Sequence, residues 1–317
     1  MKRHLFLIGL LSFLATSFSP LWAQPPSLQK IKVGMIPITD CLSLFAAKEL
    51  GYAQQEGLDL ELTPMAGGAV IIPALAGGSL DMGFSAIITT LLAVDKGFDL
   101  VIVADGAYEP TTPPFTGFVV VRKDSGINSL RDLEGKKVGV NLLKNIADLS
   151  IMEMVRLSGG NYTTITWVEI PFPQMAAPLI NRQIGAGVMV EPFYTMVKDN
   201  PELKVLFRNL HDLKPGMIVA NYVATKGWLA KNAELAEKFA RAINKASEYV
   251  NNNPGEARKI VAKYTRLSPE LVGKIGMKRF GTSVDMDGLS WVRDLLARYG
   301  LIKRGLRLEP LVFRTAR

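Results

Sequence analysis

The residues best placed to do chemistry in this chain are small polar groups that follow short apolar runs. Thr39 and Asp40 come after the run 31–36, Gly67, Gly68 and Ala69 after 58–62, and Ser85 with Ala86 after 82–84. Asn141, Lys144 and Asn145 come after 137–140, and Glu191 with Tyr194 after 186–190. Thr116 and Asn221 stand near the two expected crossings between halves. Hydroxyls, amides, carboxylates and one ammonium recognise a small molecule by hydrogen bonding, and recognition needs no further chemistry.

Each candidate also has a structural reading. Thr39 or Asp40 can cap a helix, and a glycine pair can be no more than a tight connection. Lys144 can be a solvated lysine on a first helical turn, where positive charge opposes the helix dipole. Glu191 can accept from the backbone N–H groups of the segment after it. Tyr194 supplies an aromatic wall and a hydroxyl. For Tyr222, beside Asn221, interior packing is the default.

Catalytic sets are hard to assemble. The chain has two histidines, His4 and His211, and a single cysteine, Cys41. A Ser-His pair or a histidine metal centre is therefore not expected, and neither is a disulfide. No Walker or dinucleotide fingerprint occurs, and no cofactor is expected. The basic run 303–307 lacks interleaved aromatics, so nucleic-acid binding is not expected.

These residues need a scaffold that brings strand ends together. Apolar runs at 31–36, 58–62, 82–84, 100–104 and 118–121 form a first set of expected strands. A second set lies at 137–140, 166–170, 186–190 and 204–207. Helix-like segments alternate with them, starting with one from Cys41 to about Ala53, then 146–157, 173–182 and 192–198. That alternation predicts an α/β protein with mainly parallel sheets, in which ligands sit beyond the carboxyl ends of the strands. The two sets look like one plan used twice. From 232 onward helices are expected at 233–251, 254–264, 269–277 and 289–299, packing back on the first half.

The stretch KVG through PITD, the phrase ELGYAQQEGLDLEL, the GG pair and ALAGGSLDMG carry a resemblance. With RKDSGINSLRDLEGKKVGVN and VMVEPF they resemble solute-binding proteins of ABC importers, in the group that carries nitrate, sulfonates, taurine, bicarbonate and pyrimidine precursors of thiamine. The resemblance implies a type II periplasmic binding protein whose two lobes close on a ligand cleft. Residues 24–121 and 218–317 would form a discontinuous lobe I and residues 122–217 lobe II. It implies a monomer that captures a small polar organic solute, sulfonate, carboxylate or pyrimidine-like, and delivers it unchanged to an inner-membrane ABC permease. Two departures stand out: Gly185 where the second lobe usually has an acidic residue, and Ala53 where an aromatic usually follows the GY pair. A pyrimidine synthase on the same fold is the alternative; it would need a cysteine- and histidine-rich patch. A ligand-sensing partner of a membrane signalling protein is another.

Residues 1–23 read as a leader, with Lys2, Arg3 and His4 before an apolar run from 5 to 15 and cleavage after Ala23. With no cysteine at that point a lipid anchor is not expected, and the location implied is the periplasm. Removing Lys2 and Arg3 leaves 35 basic against 29 acidic residues, a modest excess that leans weakly toward an anionic partner. About 290 remaining residues exceed what one core supports, so two lobes follow from length alone.

Overall fold

The computed structural model describes residues 28–265 and 267–314 of the 317-residue chain. The expected leader, residues 1–23, lies outside the described residues. The first half runs β1 (Gln29–Met35), α1 (Leu42–Glu49), α2 (Tyr52–Gln55), β2 (Leu58–Pro64), α3 (Gly68–Ala76), β3 (Met82–Ala86), α4 (Ile87–Asp95), β4 (Leu100–Asp105) and β5 (Ala107–Tyr108). The second half runs β6 (Gly117–Arg122), β7 (Lys137–Val140), α5 (Ile146–Leu157), β8 (Thr166–Glu169), α6 (Ala176–Ile180), β9 (Ala186–Val190) and β10 (Leu203–Phe207). The chain then adds β11 (Ala220–Thr225), α7 (Lys226–Asn252), α8 (Pro254–Thr265), α9 (Pro269–Val272), β12 (Arg279–Phe280) and α10 (Met286–Arg298).

Two five-stranded sheets result, ordered β2-β1-β3-β11-β4 and β10-β6-β9-β7-β8. Read from opposite edges they share one plan. β1 and β7 each pair in parallel with the next strand on one side and with β3 or β9 on the other. In each sheet the fourth strand is antiparallel, β11 in the first and β6 in the second. A strand that has just crossed from the other half enters in the opposite sense, which accounts for both exceptions to the parallel pattern. The run 118–121, expected with the first lobe, belongs to β6 in the second sheet. β11, absent from the expected strands, fills the matching place in the first.

The repeat extends to single hydrogen bonds. Asp81 N donates to Lys32 O at 2.9 Å and Gly185 N to Lys137 O at 2.8 Å. In the first lobe the Asp81 carboxylate also accepts from Lys32 N and Trp228 Nε1. Gly185 offers no such acceptor, so its departure from the family pattern is confined to a side chain.

The expected helix from Cys41 to about Ala53 is two helices, α1 and α2, divided at Gly51 (φ 73°). The segment expected as a helix over 192–198 is a series of turns, and the one over 269–277 is helical only through Val272. The C-terminal helices do pack on the first lobe. α7 places Ala236, Phe239 and Ile243 in that core, and α10 adds Leu289, Val292 and Leu296. Smaller cores flank the second sheet, one around Val119, Val138 and Ile151, the other around Met175, Leu179 and Met189. Among the described residues no helix is long and apolar enough to cross a membrane.

Candidate ligand-binding site

Strand ends from both sheets meet around one internal cavity. Its empty space is about 570 Å³ including the mouth. The first lobe contributes Ile36, Asp40, Gly68 and Ala86, and the second Asn141, Asn145, Phe172 and Asn209. Lys278, from the C-terminal segment, completes the polar lining. The walls are largely apolar with a few polar groups, the usual make-up of a small-molecule site.

The lobes touch around this cavity. Thr89 Oγ1 on α4 donates to Asn145 Oδ1 at the start of α5, 3.1 Å away. Thr39 donates through N and Oγ1 to Glu191 O. A Cβ on Gly67 would lie 2.5 Å from Leu142 Cδ1, the tip of a flexible side chain, so the loops of the two lobes come close here. Further out, Arg298 and Tyr299 at the end of α10 reach Glu153 on α5 at 2.5 and 2.6 Å. The two halves are thus in contact on more than one side of the cavity.

Charge inside the cavity is concentrated on one cluster. Lys278 Nζ lies 2.5 Å from Glu109 Oε2 and 3.9 Å from Asp40 Oδ2, with all three side chains buried. Burial pushes the Asp40 carboxyl upward; Lys278 opposes that and Glu109 adds to it. Burial also works against the Lys278 charge, but the two carboxylates outweigh it and hold the ammonium above its usual range. The cluster therefore holds the Lys278 cation beside Glu109, while burial keeps the Asp40 carboxyl above its usual range.

Two amide residues, Asn141 and Asn209, line the cavity, and the Oδ1 of each is buried without a hydrogen-bond partner. Buried acceptors are normally satisfied. The helix starts nearby are partly occupied. Asp148 accepts from the N–H groups of Lys144, Asn145 and Leu149, and Ile87 N donates to Val219 O.

Of the residues expected from sequence, Asp40, Gly68, Ala86, Asn141 and Asn145 line the cavity. Ser85 lies just beneath it, its Oγ 2.5 Å from where a Cβ on Gly68 would stand. Thr39 holds the lobe contact, and neither it nor Ala69 lines the cavity. No side chain caps the turn at Thr39 or α1, so the helix-cap reading of Thr39 and Asp40 is not realised. Asn145 does cap α5, in a capping box with Asp148. Lys144 is exposed, at φ 53°, and does not line the cavity. Glu191 is buried and accepts from Thr195 N and Oγ1 and from Gly276 N, the structural reading of that residue. Tyr194 stacks on Phe118 at 3.8 Å in the core of the second lobe. Thr116 donates to Glu109, and Asn221 Oδ1 accepts from Thr90. Neither lines the cavity.

Asn209, Phe172 and Lys278 were missed. Asn209 comes two residues after β10, so the strand-end rule that found the other candidates applies to it as well. Lys278 had no signal, because it follows a segment that reads as helix and only tertiary packing carries it to the cavity.

The family model described as "NMT1/THI5 like" matches residues 38–257. The chain belongs to the NMT1/THI5-like family. Among relatives, it is 29% identical over 252 residues to 4-amino-5-hydroxymethyl-2-methylpyrimidine phosphate synthase THI5 of Saccharomyces cerevisiae, covering 75% of this chain and 71% of that one. Its fold is similar to the alkanesulfonate-binding protein SsuA of Xanthomonas axonopodis bound to MOPS (TM-score 0.74, 18% identity, 92% of this chain and 100% of that one). It is also similar to the nitrate-binding protein NrtA of Synechocystis (TM-score 0.73, 16% identity, 89% and 84%). The fold is thus that of the type II periplasmic binding proteins, as the sequence motifs implied. Lys278 lies beyond the family match.

Proposed function

We propose that this protein is the solute-binding component of an ABC importer, exported to the periplasm, where it captures a small polar organic molecule and hands it to an inner-membrane permease. The observation that carries this reading is the cavity itself, which lies between the lobes and is lined by polar residues of both, among them Asp40 from the first and Asn141, Asn145 and Asn209 from the second. A ligand that touches Asp40 and Gly68 on one side and Asn141 and Asn209 on the other makes all its contacts only when the clamp is shut. Binding then favours the closed state by its differential contacts, and the permease reads that state. Three or four hydrogen bonds of about 1.5–3 kcal/mol each to a charged group suffice for micromolar affinity after ordering costs.

A second reading, a pyrimidine synthase, is favoured by the 29% identity to THI5. Against it stand the residue types on hand. Cys41 is fully buried, with burial raising its thiol well above the usual range. His211 packs against Phe115 at a tilt and contacts Pro110 O, outside the cavity lining. The two readings separate in one experiment: denature the purified protein, identify any released small molecule by mass spectrometry, and add it back to fresh protein. A receptor returns it with unchanged mass and stimulates ATP hydrolysis by its reconstituted permease. A new covalent product would establish the synthase instead.

A further inference from the structure

We infer that lobe II carries a second binding site, at the amino ends of β7 and β9, which takes a small organic dicarboxylate. It lies at the opposite edge of the sheet from the cavity and shares no lining residue with it. The inference is independent of the solute-receptor reading.

The internal repeat is the first ground. In the first lobe the Asp81 carboxylate accepts from Lys32 N at 2.8 Å and from Trp228 Nε1 at 2.7 Å, while Asp81 N donates to Lys32 O. In the second, Gly185 N donates to Lys137 O in the same way, and the carboxylate is missing. The N–H and C=O of one residue in a parallel strand point toward the same neighbour, so the Lys137 N–H faces the place that Asp81 fills in lobe I. Among the described residues no side chain accepts a hydrogen bond from it. Nor does the backbone demand glycine here, because Gly185 is not among the positive-φ residues. A Cβ would lie 3.3 Å from both Ile127 Cδ1 and Lys136 Cβ, a tight fit that a small side-chain movement relieves.

Charge is the second ground. The missing side chain leaves an open notch with about 840 Å³ of space including its mouth, lined by Arg122, Lys136, Lys137 and Arg182 and by no carboxylate. The two guanidiniums are already matched. Arg122 pairs with Asp124 at 2.9 Å and Glu202 at 3.1 Å, and Arg182 pairs with Asp124 at 2.6 Å. Lys136 and Lys137 are exposed and make no ion pair among the described residues. Lys136 is the last contributor to the lowered Asp132 carboxyl, which Asn128 N and Ser129 N hold instead. Two unmatched ammoniums beside a strand N–H suit a ligand of charge about −2 whose oxygens accept from all three. The occupant of the same place in lobe I is a carboxylate, which selects a dicarboxylate for lobe II.

Isothermal titration of the purified protein at low ionic strength with malonate and succinate, against acetate and phosphate, tests this. The expected result is binding of a dicarboxylate at least about tenfold tighter than acetate, the weight of one charge-assisted hydrogen bond. Gly185→Asp supplies the carboxylate from within and should weaken malonate about tenfold or more. Lys136→Met combined with Lys137→Met, at two exposed positions, should do the same. Circular dichroism checks that the variants fold; where Gly185→Asp does not, the lysine pair decides. Malonate bound equally by the unaltered protein and the variants overturns the inference, because the site then lies elsewhere, the cavity included. Binding of neither dicarboxylate at about 10 mM also overturns it. Phosphate bound more tightly than both would overturn the carboxylate assignment.

Discussion

Replacing Lys278 by methionine keeps most of the side-chain volume and removes the ammonium between Glu109 and Asp40. Lys278 and Glu109 are 1% and 0% exposed, and at 2.5 Å an effective dielectric constant of about 20 gives a gross attraction of about 7 kcal/mol. Desolvation of both ions offsets much of that. What the variant measures is the cost of a buried carboxylate left without its partner, about 3–5 kcal/mol. Glu109 keeps two donors, Thr116 N and Oγ1, which places the expected loss toward the lower end of that range. Lys278→Met together with Glu109→Gln removes both charges and should recover at least half the loss. Urea unfolding of the unaltered protein, both single variants and the double variant closes the cycle. A cost below about 1 kcal/mol for Lys278→Met, or a double variant as unstable as the sum of the singles, would refute the ion pair as the support of this wall of the cavity.

The remaining predictions concern the lobes and their closure. Burial pushes the Asp105 carboxyl from 3.8 to about 7, against the hydrogen bonds from Tyr108 and Gly106. The folded protein holds a proton there that the unfolded chain has released, so stability should fall as pH rises from about 4 to 7, by up to about 4 kcal/mol. Asp105→Asn should flatten that part of the profile in thermal melts. Gly68→Ala places a methyl 2.5 Å from Ser85 Oγ and 3.0 Å from Thr89 Cγ2, and should cost about 1–3 kcal/mol and weaken ligand binding. Adding Ser85→Ala should restore part of the stability, measured in the same melts. Arg298→Ala loosens the contact between α10 and Glu153. With 55% of the Arg298 side chain exposed, the loss is at most about 1 kcal/mol, or about fivefold in the ratio of open to closed forms. Small-angle scattering of the ligand-free protein should show a larger radius of gyration.

Local pattern alone settled the α/β alternation, the duplicated plan and the polar groups at strand ends. Strand period, glycine placement and end-of-strand chemistry are properties of a few consecutive residues, so Asp40, Gly68, Ala86, Asn141 and Asn145 could be picked out without coordinates. Tertiary structure decided everything that depends on distant segments meeting. It moved the run 118–121 into the second sheet and put β11 in the first, because a crossing strand pairs with whichever edge it reaches. It turned Lys144 outward and committed Glu191 to backbone and hydroxyl donors. Lys278 reached the cavity from far along the chain. A buried cation is recognised by the carboxylates it meets, and those stand 169 and 238 residues earlier, at Glu109 and Asp40.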